Sequence, residues 1–359
     1  MLPPRNPDER LKARGADTRP PGRFEKERRE RESDGWDIPE EERLLRTEIT
    51  TEEPRSIIAR NTSPDVPFDR SINPYRGCEH GCIYCFARPS HSYIGLSPGL
   101  DFETKLTAKP NAAAVLERQL ARPSYKVAPI ALGTNTDPYQ PAEAKFEIMP
   151  KLLRVLSDWN HPVTLVTRGR LVLRDVDLWG ELAAKNMALA GVSLTTLNAK
   201  LARQMEPRAP TPQTRLKMIE GLTKAGVPVR VMVAPIIPVL NEPELESILE
   251  AAREAGASSA SMIPVRLPYE VAPLFRDWLE RHHPGKAAHI MNRIRAMRGG
   301  RDNDPRYGSR MRGEGKEIEL LHQRFRLAKR RFHLDARNPP LDCSRFGQPP
   351  KAGDQLSFF

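Results

Sequence analysis

Cysteine is scarce in this chain: four residues in 359 exclude the disulfide scaffold on which small secreted domains depend. Long apolar runs are missing as well. No stretch approaches the ~20 residues that a membrane-spanning helix needs, so no membrane partner is expected. Residues 1–20 lack the apolar stretch of a secretory signal, and a cytoplasmic protein is the expectation. Aromatic side chains make up only 6% of the residues. Hydrophobic residues still reach 39%, enough for one large catalytic domain with tails or for two small domains.

Charge is unevenly placed. The net charge is +11, yet residues 1–55 hold 13 Lys/Arg against 15 Asp/Glu. Residues 281–337 hold 16 Lys/Arg against 6 Asp/Glu, so nearly all the excess lies in one C-terminal block. A polyanionic partner such as nucleic acid would use it; a merely solvated helical surface is the alternative.

Residues 1–60 are rich in charge and proline without a sustained apolar face, which predicts a loose, disordered tail. Residues 336–359, with Pro339-Pro340 and Pro349-Pro350, predict a second flexible tail. Between them short apolar runs recur at 71–75, 128–132, 163–166, 192–194, 229–234 and 261–265. Helically spaced stretches alternate with them: 143–156, 178–187, 213–224 and 243–255, the last two stopped by Gly226 and Gly256. Such alternation predicts parallel strands with right-handed crossovers. The expected fold class is α/β, a partial (β/α)6 TIM-like barrel over 61–270 with a basic helical extension over 271–335. Periodicity alone leaves a doubly wound open sheet as the alternative. Within the extension, Ile318, Leu321, Phe325, Ala328 and Phe332 form an apolar helical stripe.

Three of the four cysteines fall at Cys78, Cys82 and Cys85, a C-x3-C-x2-C spacing flanked by Gly77, Gly81 and Tyr84. Thiolates this close in one loop favour an iron–sulfur cluster or zinc. A structural zinc site needs a fourth protein ligand, for which His80 and Cys343 are the candidates. A cubane held by three thiolates leaves one iron open to a chelating substrate.

With Tyr84 before its last cysteine, this motif resembles the signature of the radical S-adenosylmethionine (SAM) superfamily. The resemblance implies a [4Fe–4S] cluster on Cys78, Cys82 and Cys85, with SAM chelated by the open iron. It also implies reductive cleavage of SAM to a 5′-deoxyadenosyl radical, with a flavodoxin- or ferredoxin-type electron donor. Downstream, the run from Gly133 to Pro141, Thr167-Arg168-Gly169, Ser193-Leu194-Thr195-Thr196 and Ala234-Pro235-Ile236-Ile237-Pro238 is similar to the spore photoproduct lyase–related proteins, often called DNA repair photolyases. By that resemblance Thr136 and Ser193 bind ribose or methionine groups, Arg168 pairs with the methionine carboxylate, and Tyr84 lies near the adenine. The chain departs from the lyases at their hydrogen donors: Thr134 stands at their cysteine position and Phe86 at their tyrosine position.

The reading that follows is a radical enzyme acting on nucleic acid, by lesion repair or base modification, through the basic 281–337 region. A protein or small-molecule substrate is the second reading. A non-catalytic iron–sulfur or zinc protein, binding nucleic acid or sensing redox state, is the third. Asp137, Glu143 and Glu206 stand near strand ends, where each is an acid–base candidate or a carboxylate meeting a helix N-terminus.

Overall fold

A computed structural model describes residues 13–25, 45–337 and 340–350. Among these, ten strands form: β1 (Glu48–Thr51), β2 (Ile58–Arg60), β3 (Arg70–Ile72), β4 (Tyr75–Arg76), β5 (Lys105–Ala108), β6 (Ile130–Leu132), β7 (Val163–Thr167), β8 (Ala188–Ser193), β9 (Val229–Ile236) and β10 (Ser259–Pro264). The main sheet is seven-stranded in the order β10-β9-β8-β7-β6-β3-β2. From β3 to β10 every neighbouring pair is parallel, and β2 closes the edge antiparallel to β3. Five helices make the crossovers: Ala112–Leu120, Ile148–Asp158, Val176–Ala184, Pro212–Lys224 and Leu245–Glu254. This is the mixed α/β arrangement of a partial barrel; the sheet does not close on itself.

The alternation in the sequence works because outward residues such as Val229, Val231 and Val233 are buried under the crossover helices. Inward positions follow the register. Gly191, Arg230 and Ser259 form one layer, and Ser193, Met232 and Ser261 form the next, nearer the C-terminal end of the strands. One expected helix is broken. Glu147 has a positive φ of 45° and separates Glu143–Phe146 from Ile148–Asp158. The Glu143 carboxylate accepts the free N–H groups of Ile148 and Met149, so it caps the second helix, the N-terminal role considered for it.

The described parts of the expected N-terminal tail are packed. β1 pairs with β5 and β2 with β3, while Arg14 and Ala16 are buried. The buried Glu103 carboxylate explains this, because it accepts the backbone N–H of Gly15 and Ala16 at 2.9 Å each. Backbone capture of this kind leaves no hydrophobic periodicity to read. The rest of that expectation, 1–12 and 26–44, lies outside the described residues. At the other end, Phe346 stacks on Trp159 and edges His161, while 338–339 and 351–359 lie outside the described residues. The extension is helical, with Val271–His282, Pro284–Ala296 and Lys316–Arg331, and the last helix buries Ile318, Leu321, Phe325 and Ala328. Among the described residues no helix is long and apolar enough to cross a membrane.

The floor of the barrel supplies a pH test. Burial pushes the pKa of His161 down to about 4, so the folded state holds it neutral while the unfolded chain protonates near 6.5. Its contribution is complete above about pH 6.5 and is lost as pH falls toward 4. Urea unfolding between pH 6 and 4 should show wild-type stability falling about 1 kcal/mol per pH unit more steeply than that of His161→Gln. Parallel profiles would contradict this.

Candidate active site at the barrel mouth

The cysteine loop leaves β4 and runs over the C-terminal ends of the strands. Gly77 and Gly81 both take positive φ, 76° and 68°, and so let three thiols crowd into one turn. The turn is held from outside. Gln140 donates to the Gly77 carbonyl and accepts the Glu79 N–H, bracketing Cys78. The Cys78 N–H bonds the Phe102 carbonyl, and the Ile83 N–H bonds the Met205 carbonyl. Arg88, fully buried, donates to the carbonyls of Cys82 and Gly81 and pairs with Glu103 at 2.5 Å. The N-terminal segment seals the back: a Cβ on Gly15 would sit 1.8 Å from the Gly81 oxygen.

Cys78 and Cys82 are buried, Cys85 is half-buried, and all three are free thiols. Burial pushes the Cys82 thiol up to about 12 although Arg168 pulls it the other way, and burial likewise raises the Cys78 thiol, so a metal partner would favour the thiolate at both. Among the described residues no three His, Cys, Asp or Glu side chains converge on a single ion. A cubane spreads its ligands over separate irons, and three thiols alone suit it. Neither candidate for a fourth zinc ligand joins them. His80 turns its Nδ1 toward Asp137 at 3.4 Å. Cys343 belongs to the segment whose Gly347 N–H bonds Trp159 and whose Asp342 N–H bonds Asn186, at the opposite end of the barrel.

Glu206 organises the wall beside the loop. It is fully buried and receives Tyr84 Oη, Arg215 Nη2, Thr195 Oγ1 at 3.0 Å and Arg168 Nη1 at 2.8 Å. Burial alone would raise its pKa; Arg215 and Arg168 outweigh that and hold it at about 2. Asp137 is likewise held at about 2 against burial, chiefly by His80. Its oxygens accept from Thr167 Oγ1, from the Arg168 N–H and from the Tyr139 N–H. Both groups are ionised and saturated, which makes them positioning carboxylates rather than general acids.

The residues singled out in the sequence are brought to one end of the barrel, with unequal freedom. Arg168 Nη1 lies 2.8 Å from Glu206 and 3.0 Å from Cys82 Sγ, so this cation is already paired and also faces a loop thiol. Tyr84 is buried with its hydroxyl between Glu206 and Arg168. Thr136 spends its hydroxyl proton on the Tyr75 carbonyl at 2.8 Å. Ser193 faces the lumen in register with Met232, which pairs with Ser261. Ser261 escaped notice in the sequence; its shielded Oγ meets no partner among the described residues. Gln140, Arg88 and Arg215 were also missed as loop and wall supports. Each stands among polar residues and prolines, so nothing in the local pattern marks it as buried. Thr134 receives a long contact from Asn73 Nδ2 at 3.5 Å, and Phe86 is half-exposed beneath the Arg266 guanidinium.

With the fold and this loop in view, the comparisons define the class. Residues 72–252, just over half of the chain, match the radical SAM superfamily model. The chain belongs to that superfamily. It is 38% identical over 266 residues to an uncharacterised protein of Mycobacterium tuberculosis, covering 73% of this chain and 76% of that one. An uncharacterised protein of Methanocaldococcus jannaschii is 24% identical over 173 residues, 48% of this chain and 62% of that one. Among solved structures, spore photoproduct lyase complexed with dinucleoside spore photoproduct shares the fold with a TM-score of 0.56 at 15% identity, covering 79% of each chain. A mutant of that lyase gives the same score over 80% of each chain.

Substitution at the wall gives a direct check. Glu206→Gln leaves Arg168 and Arg215 without their counter-charge, with an expected loss of about 3–5 kcal/mol in denaturant unfolding. Adding Arg215→Met should recover part of it, since the two residues couple. A Glu206→Gln variant as stable as wild type would refute the pairing.

Proposed function

We propose that this chain is a radical SAM enzyme acting on nucleic acid. Three thiols in one externally braced loop, with no fourth protein ligand among the described residues, carry the cofactor part of this reading. Cys78, Cys82 and Cys85 would hold a [4Fe–4S] cluster and leave one iron for SAM. When bound, the pair supplies a 5′-deoxyadenosyl radical after one electron arrives from a flavodoxin- or ferredoxin-type donor.

The chain's own groups shape where this happens. Arg168 donates toward Cys82 Sγ, which stabilises a thiolate there. Glu206 keeps Arg168 and Tyr84 fixed beside the loop. Ser193 and Ser261 offer lumen hydroxyls for ribose or methionine groups. Thr136 would meet the cofactor through its acceptor lone pairs, its proton being engaged.

The nucleic-acid part rests on the excess of positive charge and on the fold shared with a lyase solved with a dinucleoside photoproduct. A second reading, a protein or small-molecule substrate, is favoured by the ion pairs that absorb much of the C-terminal block. Arg310 pairs with Asp65, Arg324 with Glu246, Arg293 with Glu242 and Glu317, and Arg306 with Asp304.

Anaerobic reconstitution, dithionite and SAM should release 5′-deoxyadenosine and methionine; an intact cluster without cleavage would defeat the reading. Cys82→Ala should lose both the visible iron–sulfur absorbance and the cleavage. Oligonucleotide binding that weakens steeply with salt supports the nucleic-acid substrate, and a flat salt profile favours the second reading.

A further inference from the structure

Most arginines of the C-terminal extension are neutralised within the fold, and the basic end of the helix Lys316–Arg331 lies away from the mouth. The residues that follow it pair with the first residues of β10: Ser259 bridges Asp335, and the Ala260 N–H bonds the Leu334 carbonyl. Uncompensated positive charge occurs elsewhere, in a cavity of about 300 Å³ on the rim of the mouth. It is lined by Lys200, Lys286, His282, His283, Asn198 and Gln204 over an apolar floor, and no carboxylate lines it. Neither lysine meets a carboxylate among the described residues, and both are exposed. His283 turns a shielded Nε2 that has no hydrogen-bond partner among the described residues. Both ammonium groups bear on that imidazole. The helix Pro284–Ala296 starts at the same edge, with His283 as its N-cap, which adds the positive end of its dipole.

The cavity is joined to the cysteine loop by one short helix. Asn198 caps Ala199–Met205, whose side chains Lys200 and Gln204 form the cavity wall. Met205, at the far end, accepts the Ile83 N–H inside the cysteine loop. Lys200 stands five residues from Met205 on that helix, about 7.5 Å at ~1.5 Å per residue, so the cavity and the loop lie within a few nucleotides of each other along a strand.

We propose that this rim cavity holds a backbone phosphate of the nucleic-acid strand whose nucleotide enters the barrel. Lys200 and Lys286 supply the charge, and His283 and Asn198 supply hydrogen bonds. The proposal rests on the nucleic-acid reading above and deepens it by locating the strand. Ammonium groups without an internal counter-charge pair with phosphate and gain from the counterions it releases, whereas the paired arginines of the extension would first have to break their own ion pairs.

The test is fluorescence anisotropy with a single-stranded oligonucleotide, titrated at several salt concentrations, on the full chain. Three proteins are compared: wild type, Lys200→Ala/Lys286→Ala, and Arg326→Ala/Arg330→Ala on the distant helix. All four substituted side chains are exposed, so each variant should fold as wild type does. The expected result is about tenfold weaker binding for the rim variant, with the salt slope reduced by about one, and a smaller effect from the distant pair. If the rim variant binds as wild type does, the cavity assignment falls and the nucleic-acid reading stands. If wild type itself binds no oligonucleotide, both fall. Calorimetric binding of inorganic phosphate without oligonucleotide binding would mark a free-anion site and overturn the strand assignment.

Discussion

One buried carboxylate sets the geometry of the barrel mouth. Taking Glu206 out of water costs several kcal/mol unless its oxygens are matched by charge and hydrogen bonds, and four partners from four elements converge to match it. Tyr84 comes from the cysteine loop, Arg168 from the end of β7, Thr195 from beyond β8, and Arg215 from the helix Pro212–Lys224. Because each partner is needed, none is free to wander. The loop is thereby fixed against the strands, and Arg168 is fixed against Cys82.

The opposite side of the loop obeys the same rule with a second buried pair. Glu103 balances Arg88, and its remaining capacity captures the backbone of Gly15 and Ala16. Arg88 in turn satisfies the carbonyls that the tight turn at Gly81 leaves without helix or sheet partners. The cysteine loop is thus clamped between two ionic centres, with Gln140 bridging the residues on either side of Cys78. Such bracing fixes the backbone that carries the three thiols.

Electrostatics beyond the mouth is a matter of pairing rather than composition. The C-terminal block looks strongly basic when counted along the chain, but carboxylates from distant segments, Asp65, Glu242 and Glu246 among them, come to meet it. Arg298 is buried outright and donates to four carbonyls, those of Pro264, Val265, Ser309 and Arg310. What remains unpaired is redistributed: two lysines stand on the rim beside the site, and several arginines stand at the far end of the last helix.

The order of strands and helices and the spacing of the cysteine loop were legible in the sequence, because both are local. Hydrophobic period reports which face of an element is buried, and C-x3-C-x2-C brings its sulfurs together within one turn. The packed N-terminal segment was not legible, since its anchors are backbone N–H groups on a carboxylate 88 residues away. Nor were the roles of Thr136 and Arg168 fully readable: sequence placed both at strand ends, while the fold gave one hydroxyl to Tyr75 and the guanidinium to Glu206. By itself the sequence determined the alternating elements and the placing of three cysteines in one loop. Only the tertiary structure decided which charges are free and which are spent, because a charge is neutralised by its neighbours in space, and those come from every part of the chain.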